Sequence, residues 1–283
     1  MPDGLSRLQT VQFSNESGVA VLTLNRPHRA NALTQPMLDE IDTVLDAVEA
    51  DDRIRVLVLR GAGNNFCGGF DLDEDAGMHG GVSAWRPLLQ RDFDVTMRFW
   101  HLSKPTLSAV HGAAVGGGCS LALACDITVA ARGSRFGEPE LKFGSSSPVL
   151  LMPWLLNPKQ AKELMFTAND RIDVEMALRL GLINRIVPEG QHFAATMEMA
   201  TNMAVMDPEV MRMTKRAVHR SYETRGMREA MEIGLDVAVE IETLSSPDRQ
   251  AFKAVLMREG LKAALQWRDG RFASQYVSSP QTI

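Results

Sequence analysis

The sequence is poor in cysteine and has no pattern typical of a metal site. Its 283 residues include three cysteines, Cys67, Cys119 and Cys125, an odd number without Cys-x-x-Cys spacing. Reduced intracellular thiols in a protein core fit this usage better than a disulfide framework or a zinc site. The six histidines also lack ligand spacing such as His-Glu-x-x-His, so no metal ion is expected.

Long apolar runs and an excess of positive charge are also missing. No stretch approaches the roughly 18 apolar residues of a membrane span, and residues 1–25 contain acidic groups but no hydrophobic signal-peptide region. The formal net charge of −5 excludes the broad positive field of a nonspecific nucleic-acid binder. We therefore expect a cytoplasmic protein with no nucleic-acid or membrane partner.

Strand and helix patterns alternate through the first 200 residues. A hairpin is predicted over residues 8–24, a helix begins after the capping residue Thr34, and a strand follows over residues 54–60. Residues 73–81 are rich in glycine and predict a mobile loop, and residues 84–102 predict an amphipathic helix. This alternation indicates an α/β fold.

Two helices and a strand are predicted over residues 157–187, and the chain after them is predicted to be helical. Asn157 and Asp173 each precede a predicted helix, and Gly181 ends the second of these before a strand over residues 182–187. We predict a core domain over residues 1–200 and a helical region over residues 201–283. The several apolar faces of this region would be buried against another subunit or against the same chain.

A glycine loop, Gly116-Gly117-Gly118, lies between a buried strand and a short helix over residues 119–125. Glycine lets the backbone approach a ligand, and the helix that follows directs unpaired N–H groups and a positive dipole end toward it. The loop lacks the lysine of a P-loop and the Gly-x-Gly-x-x-Gly spacing of a dinucleotide fold. A developing oxyanion suits this geometry, although three glycines would also allow tight packing of a helix on a strand.

A second glycine loop, residues 64–72, follows its own predicted strand. Two such loops could direct backbone N–H groups at one carbonyl oxygen, and each donor would stabilise the transition state by about 2.7–4 kcal/mol. Glu140, just beyond the strand over residues 127–131, is the candidate acid or base. Glu138 competes with it, and an isolated glutamate in such a loop is more often a solvated surface group.

The order of these segments resembles that of the crotonase superfamily, also called the enoyl-CoA hydratase/isomerase family. The segments that carry the resemblance are Leu24–Pro27 with Asn31–Leu33, Phe66–Leu72, Lys104–Pro105, His111–Gly112, Gly116–Cys119, Ala124–Asp126, Phe136–Glu140 and Ala177–Pro188. The resemblance covers nearly the whole chain. It implies a crotonase-type spiral of repeated ββα units with a C-terminal helical region that builds trimers, often paired into hexamers.

The resemblance also implies a coenzyme A thioester as substrate, with no prosthetic group. Carried over by position, the oxyanion donors are the N–H groups of Phe70 and Gly117, and the acid/base is Glu140. The residues expected to contact coenzyme A are Arg29, Ala32, Gly68, Phe70, Asp71, Leu72 and Gly117.

Two positions depart from the family pattern. Ser120 occupies a position where many hydratases of the family carry a second glutamate, and Asp73 occupies one where members often have a lysine near the adenine of coenzyme A. Contacts to the adenosine phosphates must then come from Arg29 or from a neighbouring subunit. Because a hydroxyl can hold water, we assign Ser120 to the catalytic group and favour hydration of a 2-enoyl-CoA, with Glu140 as the only acid/base.

Three alternatives stay open at this point. Glu140 could shuttle a proton between C2 and C4 of an enoyl chain, as in a Δ3,Δ2-enoyl-CoA isomerase, or activate water for hydrolysis of the thioester. A catalytically silent acyl-CoA-binding protein would keep the same fold. Residues 145–147, three serines, are interpreted as an exposed turn rather than part of the pocket, and Trp85 as a core residue rather than a lining of the acyl pocket.

Overall fold

The computed structural model describes residues 3–78 and 80–272. Within them the strands are β1 Val11–Glu16, β2 Val19–Leu24, β3 Val56–Gly61, β4 Thr106–Val110, β5 Ala113–Val115, β6 Ile127–Ala131, β7 Arg135–Gly137, β8 Ile172–Asp173 and β9 Arg185–Val187. The α-helices are α1 Gln35–Ala50, α2 Leu72–Ala76, α3 Val82–His101, α4 Gly117–Ala124, α5 Met152–Leu155, α6 Pro158–Phe166, α7 Val174–Leu180, α8 His192–Ala204, α9 Pro208–Glu223, α10 Met227–Leu244, α11 Pro247–Glu259 and α12 Leu261–Gly270. A 3-10 turn covers Glu140–Phe143.

The main sheet has six strands in the order β1-β2-β3-β4-β6-β9. Only β1 runs antiparallel to its neighbour, and the remaining pairs are parallel. Residues 56–59 of β3 are all apolar because both faces of the strand are covered: Val56 and Val58 pack toward α8, whereas Leu57 and Leu59 face the larger core.

The short sheet gives the fold its spiral form. It contains β5, β7 and β8, and two single bridges, Leu33 to Phe70 and Cys67 to Ala114, continue it. Successive turns of the chain thus pass from a strand of the main sheet to a segment of the short sheet and then to a helix. This arrangement brings the loop after β3 against the beginning of α4.

Several predicted boundaries are confirmed. The side chain of Thr34 accepts from the N–H of Met37 at the start of α1, and Asn157 and Asp173 cap α6 and α7. Gly181 ends α7 in the left-handed conformation. The helix expected over residues 119–125 begins earlier, at Gly117, because glycine is accepted in its first turn.

The predicted loop over residues 73–81 is only partly confirmed. Helix α2 covers its first four residues, and His79 lies outside the described residues. Of the helices in the described part of the chain, none is long and apolar enough to cross a membrane.

The C-terminal helices contact the core of their own chain. Helix α10 packs on α3, and α11 and α12 pack on each other and on the 3-10 turn. The rings of Phe143 in that turn and Phe252 in α11 stack with centroids 4.9 Å apart. The apolar faces of α11 and α12 are therefore buried against their own chain, which is one of the two alternatives that the sequence left open.

Asp126 connects α9 to the start of β4. It accepts hydrogen bonds from the N–H of Thr106 at 2.7 Å and from the Lys215 ammonium at 2.7 Å, and His219 lies 3.4 Å away. Burial alone would raise the pKa of Asp126, but the bond with His219 and the charge of Lys215 hold that pKa below its usual range.

We expect Asp126→Asn to lower the free energy of unfolding by about 2–4 kcal/mol at pH 7, because it leaves the buried Lys215 without its counter-charge. Asn resembles a protonated Asp. The difference in the free energy of unfolding between wild type and variant should therefore be complete above the pKa of an unfolded Asp, and it should shrink as pH falls through the lower pKa of Asp126 in the folded protein. Urea denaturation between pH 7 and pH 3 measures this. A difference that grows toward low pH would contradict the assignment.

Candidate active site

A cavity of about 450 Å³ opens beside the two glycine loops. The loops after β2 and β3, the start of α4 and the segment after β7 form one side, and α3 with the C-terminal helices forms the other. Its wall includes Arg29, Ala32, Gly68, Phe70, Asp71, Leu72, Trp85, Leu89, Gly117, Glu140, Phe143, Ser145, Ser146, Glu242, Arg249, Leu265 and Arg268. It is thus both apolar and densely charged.

Two backbone donors in the cavity wall have no acceptor within residues 3–78 and 80–272. Gly117 is the first residue of α4, so its N–H has no partner within the helix. Next to Phe70, Leu33 accepts from the N–H of Asp71 and donates to the carbonyl of Gly69. Among the described residues nothing accepts from the N–H of Phe70 or of Gly117, so both are available to a ligand oxygen.

Glycine is required where the two loops meet. A Cβ on Gly117 would lie 2.5 Å from Cε2 of Phe70, and one on Gly69 would lie 2.9 Å from the carbonyl oxygen of Val115. Gly69 and Gly116 also have φ of +96° and +56°, which disfavour other residues. The glycines therefore allow these segments to pack tightly, which is one of the two roles that the sequence left open.

Glu140 begins the 3-10 turn after β7 and lines the cavity. Its Oε2 is buried and has no hydrogen-bond partner among the described residues. Burial raises the pKa of Glu140 to about 7, and the bond with its own backbone N–H and the charge of Arg268 limit that rise. A carboxyl with this pKa can accept or release a proton near neutral pH.

Ser120 and Glu138 lie behind the cavity wall. Both are buried, with 1% and 6% of their surface exposed, and the Ser120 hydroxyl donates to Oε1 of Glu138 at 3.1 Å. Burial, followed by the neighbouring Glu140, raises the pKa of Glu138 well above its usual value. The hydroxyl of Ser120 is therefore directed to Glu138, and Ser120 is not among the described residues that line the cavity; its role in holding water stays a prediction.

Two buried ion-pair clusters form the far wall. Glu242 of α10 pairs with Arg249 of α11 at 3.0 Å and accepts from the Ser145 hydroxyl. In the second cluster Asp170 pairs with Lys142 at 2.7 Å and with Arg268 of α12 at 3.4 Å. These pairs join the C-terminal helices to the turn that carries Glu140.

The other end of the cavity carries a more exposed charge cluster. Arg29 pairs with Asp71 at 3.3 Å and also with Asp73, and Arg26 pairs with Asp71 at 3.0 Å. Asp73 is half-exposed. Arg29, which was predicted from the sequence to contact a phosphate of coenzyme A, thus already pairs with two carboxylates.

The structure brings most of the predicted site residues together. Glu140 and the seven residues expected along coenzyme A all line the one cavity, and Ser120 is one layer behind it. The exposed-turn interpretation of residues 145–147 is wrong: Ser145 and Ser147 are buried, and Ser145 and Ser146 line the cavity. Trp85 is a buried core residue, as expected, but it also lines the cavity.

Sequence reasoning missed the contribution of the C-terminal helices. Glu242, Arg249 and Arg268 occur in amphipathic helical patterns, where charged residues normally mark the solvent face. No local signal distinguishes a charged side chain that is buried in an ion pair from one in water. Their placement depends on how α10 to α12 fold back onto the core.

With this geometry established, comparisons with known proteins decide the family. A family model described as enoyl-CoA hydratase/isomerase matches residues 14–273. The chain belongs to this family. The resemblance to the crotonase superfamily and the predicted fold class are thereby confirmed.

Individual relatives agree with this assignment. A short-chain-enoyl-CoA hydratase of Clostridium acetobutylicum is 32% identical over 240 residues, covering 83% of this chain and 87% of the relative. The mitochondrial methylglutaconyl-CoA hydratase of Mus musculus is 31% identical, covering 91% of this chain and 80% of the relative. The crystal structure of an enoyl-CoA hydratase/isomerase from Xanthobacter autotrophicus Py2 matches with a TM-score of 0.91 and 46% identity, covering 93% of this chain and 98% of that one.

We expect Glu140→Gln to raise the free energy of unfolding at pH 8 by about 1–3 kcal/mol. The folded pKa of Glu140, about 7, exceeds that of an unfolded glutamate, so wild-type stability falls as pH rises between the two values. The difference between the variants should therefore disappear near pH 4. Chemical denaturation at both pH values measures it, and a destabilised Gln variant at pH 8 would show that Glu140 is not desolvated.

Proposed function

We propose that this protein hydrates a 2-enoyl-CoA to a 3-hydroxyacyl-CoA, with Glu140 as the acid/base. The observation that carries the proposal is one cavity lined by Glu140, Phe70 and Gly117. Within the described residues the buried Oε2 of Glu140 has no hydrogen-bond partner, and the N–H groups of Phe70 and Gly117 have no acceptor. The names of relatives at 31–32% identity support hydration as the reaction.

In the proposed mechanism the thioester oxygen accepts from the N–H groups of Phe70 and Gly117. Ionised Glu140 takes a proton from a water molecule while the oxygen of that water bonds to C3 of the conjugated double bond. The electron pair of the C2–C3 bond moves toward the thioester, and the negative charge reaches the oxygen between the two donors. Glu140 then returns its proton to C2, which completes the addition of water.

The second candidate is a Δ3,Δ2-enoyl-CoA isomerase. One observation favours it: the hydroxyl of Ser120 is committed to Glu138 and does not reach the cavity wall. The water for hydration must then be held by another group, and the hydroxyl of Ser146 on the cavity wall is the candidate, because that of Ser145 donates to Glu242. Hydrolysis of the thioester and silent binding have no such observation in their favour.

Coenzyme A is proposed to lie along the glycine loops, against Ala32, Gly68, Asp71 and Leu72, with its phosphates toward Arg29. The reaction needs no prosthetic group, because the acid/base and both electrophilic donors belong to the chain. We also propose a cytoplasmic trimer or hexamer built through residues 201–283. Exposed apolar side chains of α9 and α10, Val210, Met213, Ile233 and Val237, support such an interface.

Hydration is tested by incubating the protein with crotonyl-CoA and longer 2-enoyl-CoAs and following the loss of conjugated thioester absorbance. We expect kcat/KM to rise with pH through about 7 as Glu140 ionises, and Glu140→Gln to lower kcat by about 10²–10⁴-fold. Glu163→Gln, a change at an exposed glutamate of α6, is the matched control and should leave the rate unchanged.

The other reactions are separated by their products. Incubation with 3-enoyl-CoAs that yields the conjugated product without incorporating solvent oxygen identifies an isomerase. Release of free thiol identifies a hydrolase. If hydration, isomerisation and thiol release are all absent while acyl-CoA still binds, the protein is a silent binder and the proposed function is wrong.

The position of coenzyme A is tested at Asp73. Because Asp73 and Asp71 share the charge of Arg29, Asp73→Asn should free that charge and tighten binding of coenzyme A about two- to fivefold at low ionic strength. Calorimetric titration with coenzyme A measures the change, and the gain should fade as salt is added.

Glu74→Gln is the control for this change. Glu74 is a neighbouring exposed carboxylate of α2 that bonds to the backbone N–H of Gln35 and not to Arg29. Equal effects of the two substitutions would indicate a general charge effect and contradict a specific role of the Arg29–Asp73 pair.

A further inference from the structure

Glu138 is buried close to the cavity without belonging to its wall. It follows β7 directly, and Pro139 separates it from Glu140. Its Oε1 accepts from the Ser120 hydroxyl at 3.1 Å, and no cation pairs with it in the described part of the chain. A buried carboxyl with a hydroxyl partner and no counter-charge is costly to ionise.

The bond between Ser120 and Glu138 joins the two halves of the proposed catalytic machinery. Ser120 lies in the first turn of α4, which begins with the donor Gly117, and Glu138 lies in the segment that ends in Glu140. The N–H of Gly116 also donates to the carbonyl of Gly137 at 2.8 Å. Together these two bonds fix the position of the Gly117 N–H relative to the Glu140 carboxyl.

The charges around Glu138 favour its neutral form. The charge of Glu140 acts on it from the same segment. The thiol of Cys119 in α4 adds no charge, because burial raises its pKa well above the usual value. The cations nearest to this segment act on Glu140 or on Asp170 beyond it: Arg268 from α12, Lys142 from the 3-10 turn and Arg135 from β7. Two neighbouring carboxyls share a proton when both negative charges cannot be accommodated.

We propose that Glu138 is a positioning residue, which a hydrogen bond from Ser120 joins to the first turn of α4, where Gly117 lies. Glu138 also keeps the one proton that the two carboxyls share, so that Glu140 alone is charged. This inference rests on the proposed function, since it names a further residue that the same site requires. Glu138 itself does not touch the substrate.

The positioning role is tested by Ser120→Ala against Ser108→Ala. Ser108 is an equally buried serine whose hydroxyl donates to the carbonyl of Ala122, at the far end of α4. Loss of the Ser120 bond should lower kcat by about tenfold or more, with KM changed less than about twofold, because the donor and the base lose their alignment. Ser108→Ala should change neither.

The proton's position is tested by Glu138→Gln, which keeps the size and the acceptor of a neutral glutamate. Wild-type kcat/KM should rise through about pH 7 with Glu140 and fall at higher pH, when Glu138 ionises and adds a second charge beside the enolate. In Glu138→Gln, kcat/KM should still increase through about pH 7 but should no longer decrease at higher pH, and kcat should stay within about threefold of the wild-type value. In Ser120→Ala the fall should move to higher pH, because the hydroxyl stabilises the charged form of Glu138.

A third measurement does not depend on activity. The infrared spectrum at pH 8 should contain the carbonyl band of a protonated carboxyl that disappears in Glu138→Gln and persists in Glu140→Gln. A wild-type profile without a descending limb, a limb that persists in Glu138→Gln, or equal effects of the two serine substitutions would overturn the proposal. If the wild-type protein hydrates no enoyl-CoA, the proposed function fails and the infrared band alone decides where the proton lies.

Discussion

Close approach of two backbone segments is the constraint on which the site depends. The loop after β3 and the start of α4 meet where a Cβ on Gly117 would strike the ring of Phe70 and one on Gly118 would overlap the carbonyl of Cys67. Because glycine leaves room for the Phe70 ring against Gly117, the segments that carry the N–H groups of Phe70 and Gly117 border one cavity. The ββα spiral produces this contact by laying the segments of its short sheet side by side.

Burial of carboxyl groups next to this contact has a thermodynamic cost. Glu140 is desolvated at the cavity wall, and Glu138 lies behind it, where the Ser120 hydroxyl is its one hydrogen-bond partner in the described part of the chain. A protein selected for stability alone would replace such a pair by neutral residues. Among the described residues the two backbone donors beside them have no acceptor, which agrees with chemistry that needs a base active near neutral pH. The acidity of the site is thus linked to the geometry of the glycine loops.

The parts of the fold that were predicted from sequence are those set by local physics. Helix caps at Thr34, Asn157 and Asp173 follow from side-chain hydrogen bonds within one turn, and the glycine loops follow from steric limits that only glycine escapes. The burial of Glu138 could not be predicted, because Glu138 and Glu140 occur in one short run and only the tertiary packing makes one face the cavity and the other Ser120. Ser145 was misassigned for the same reason: its partner Glu242 lies 97 residues away.

The C-terminal helices show how the distant part of the chain sets the chemistry. Arg268 of α12 reaches Asp170, which also holds Lys142 of the turn that begins with Glu140. Docking of α12 therefore places a cation near the base, and that cation restrains the rise in the pKa of Glu140 caused by burial. Without this docking the cavity would lose one wall, and Glu140 would lose the nearby positive charge of Arg268. The helical region thus completes the site within its own chain, whatever further contacts its exposed faces make with another subunit.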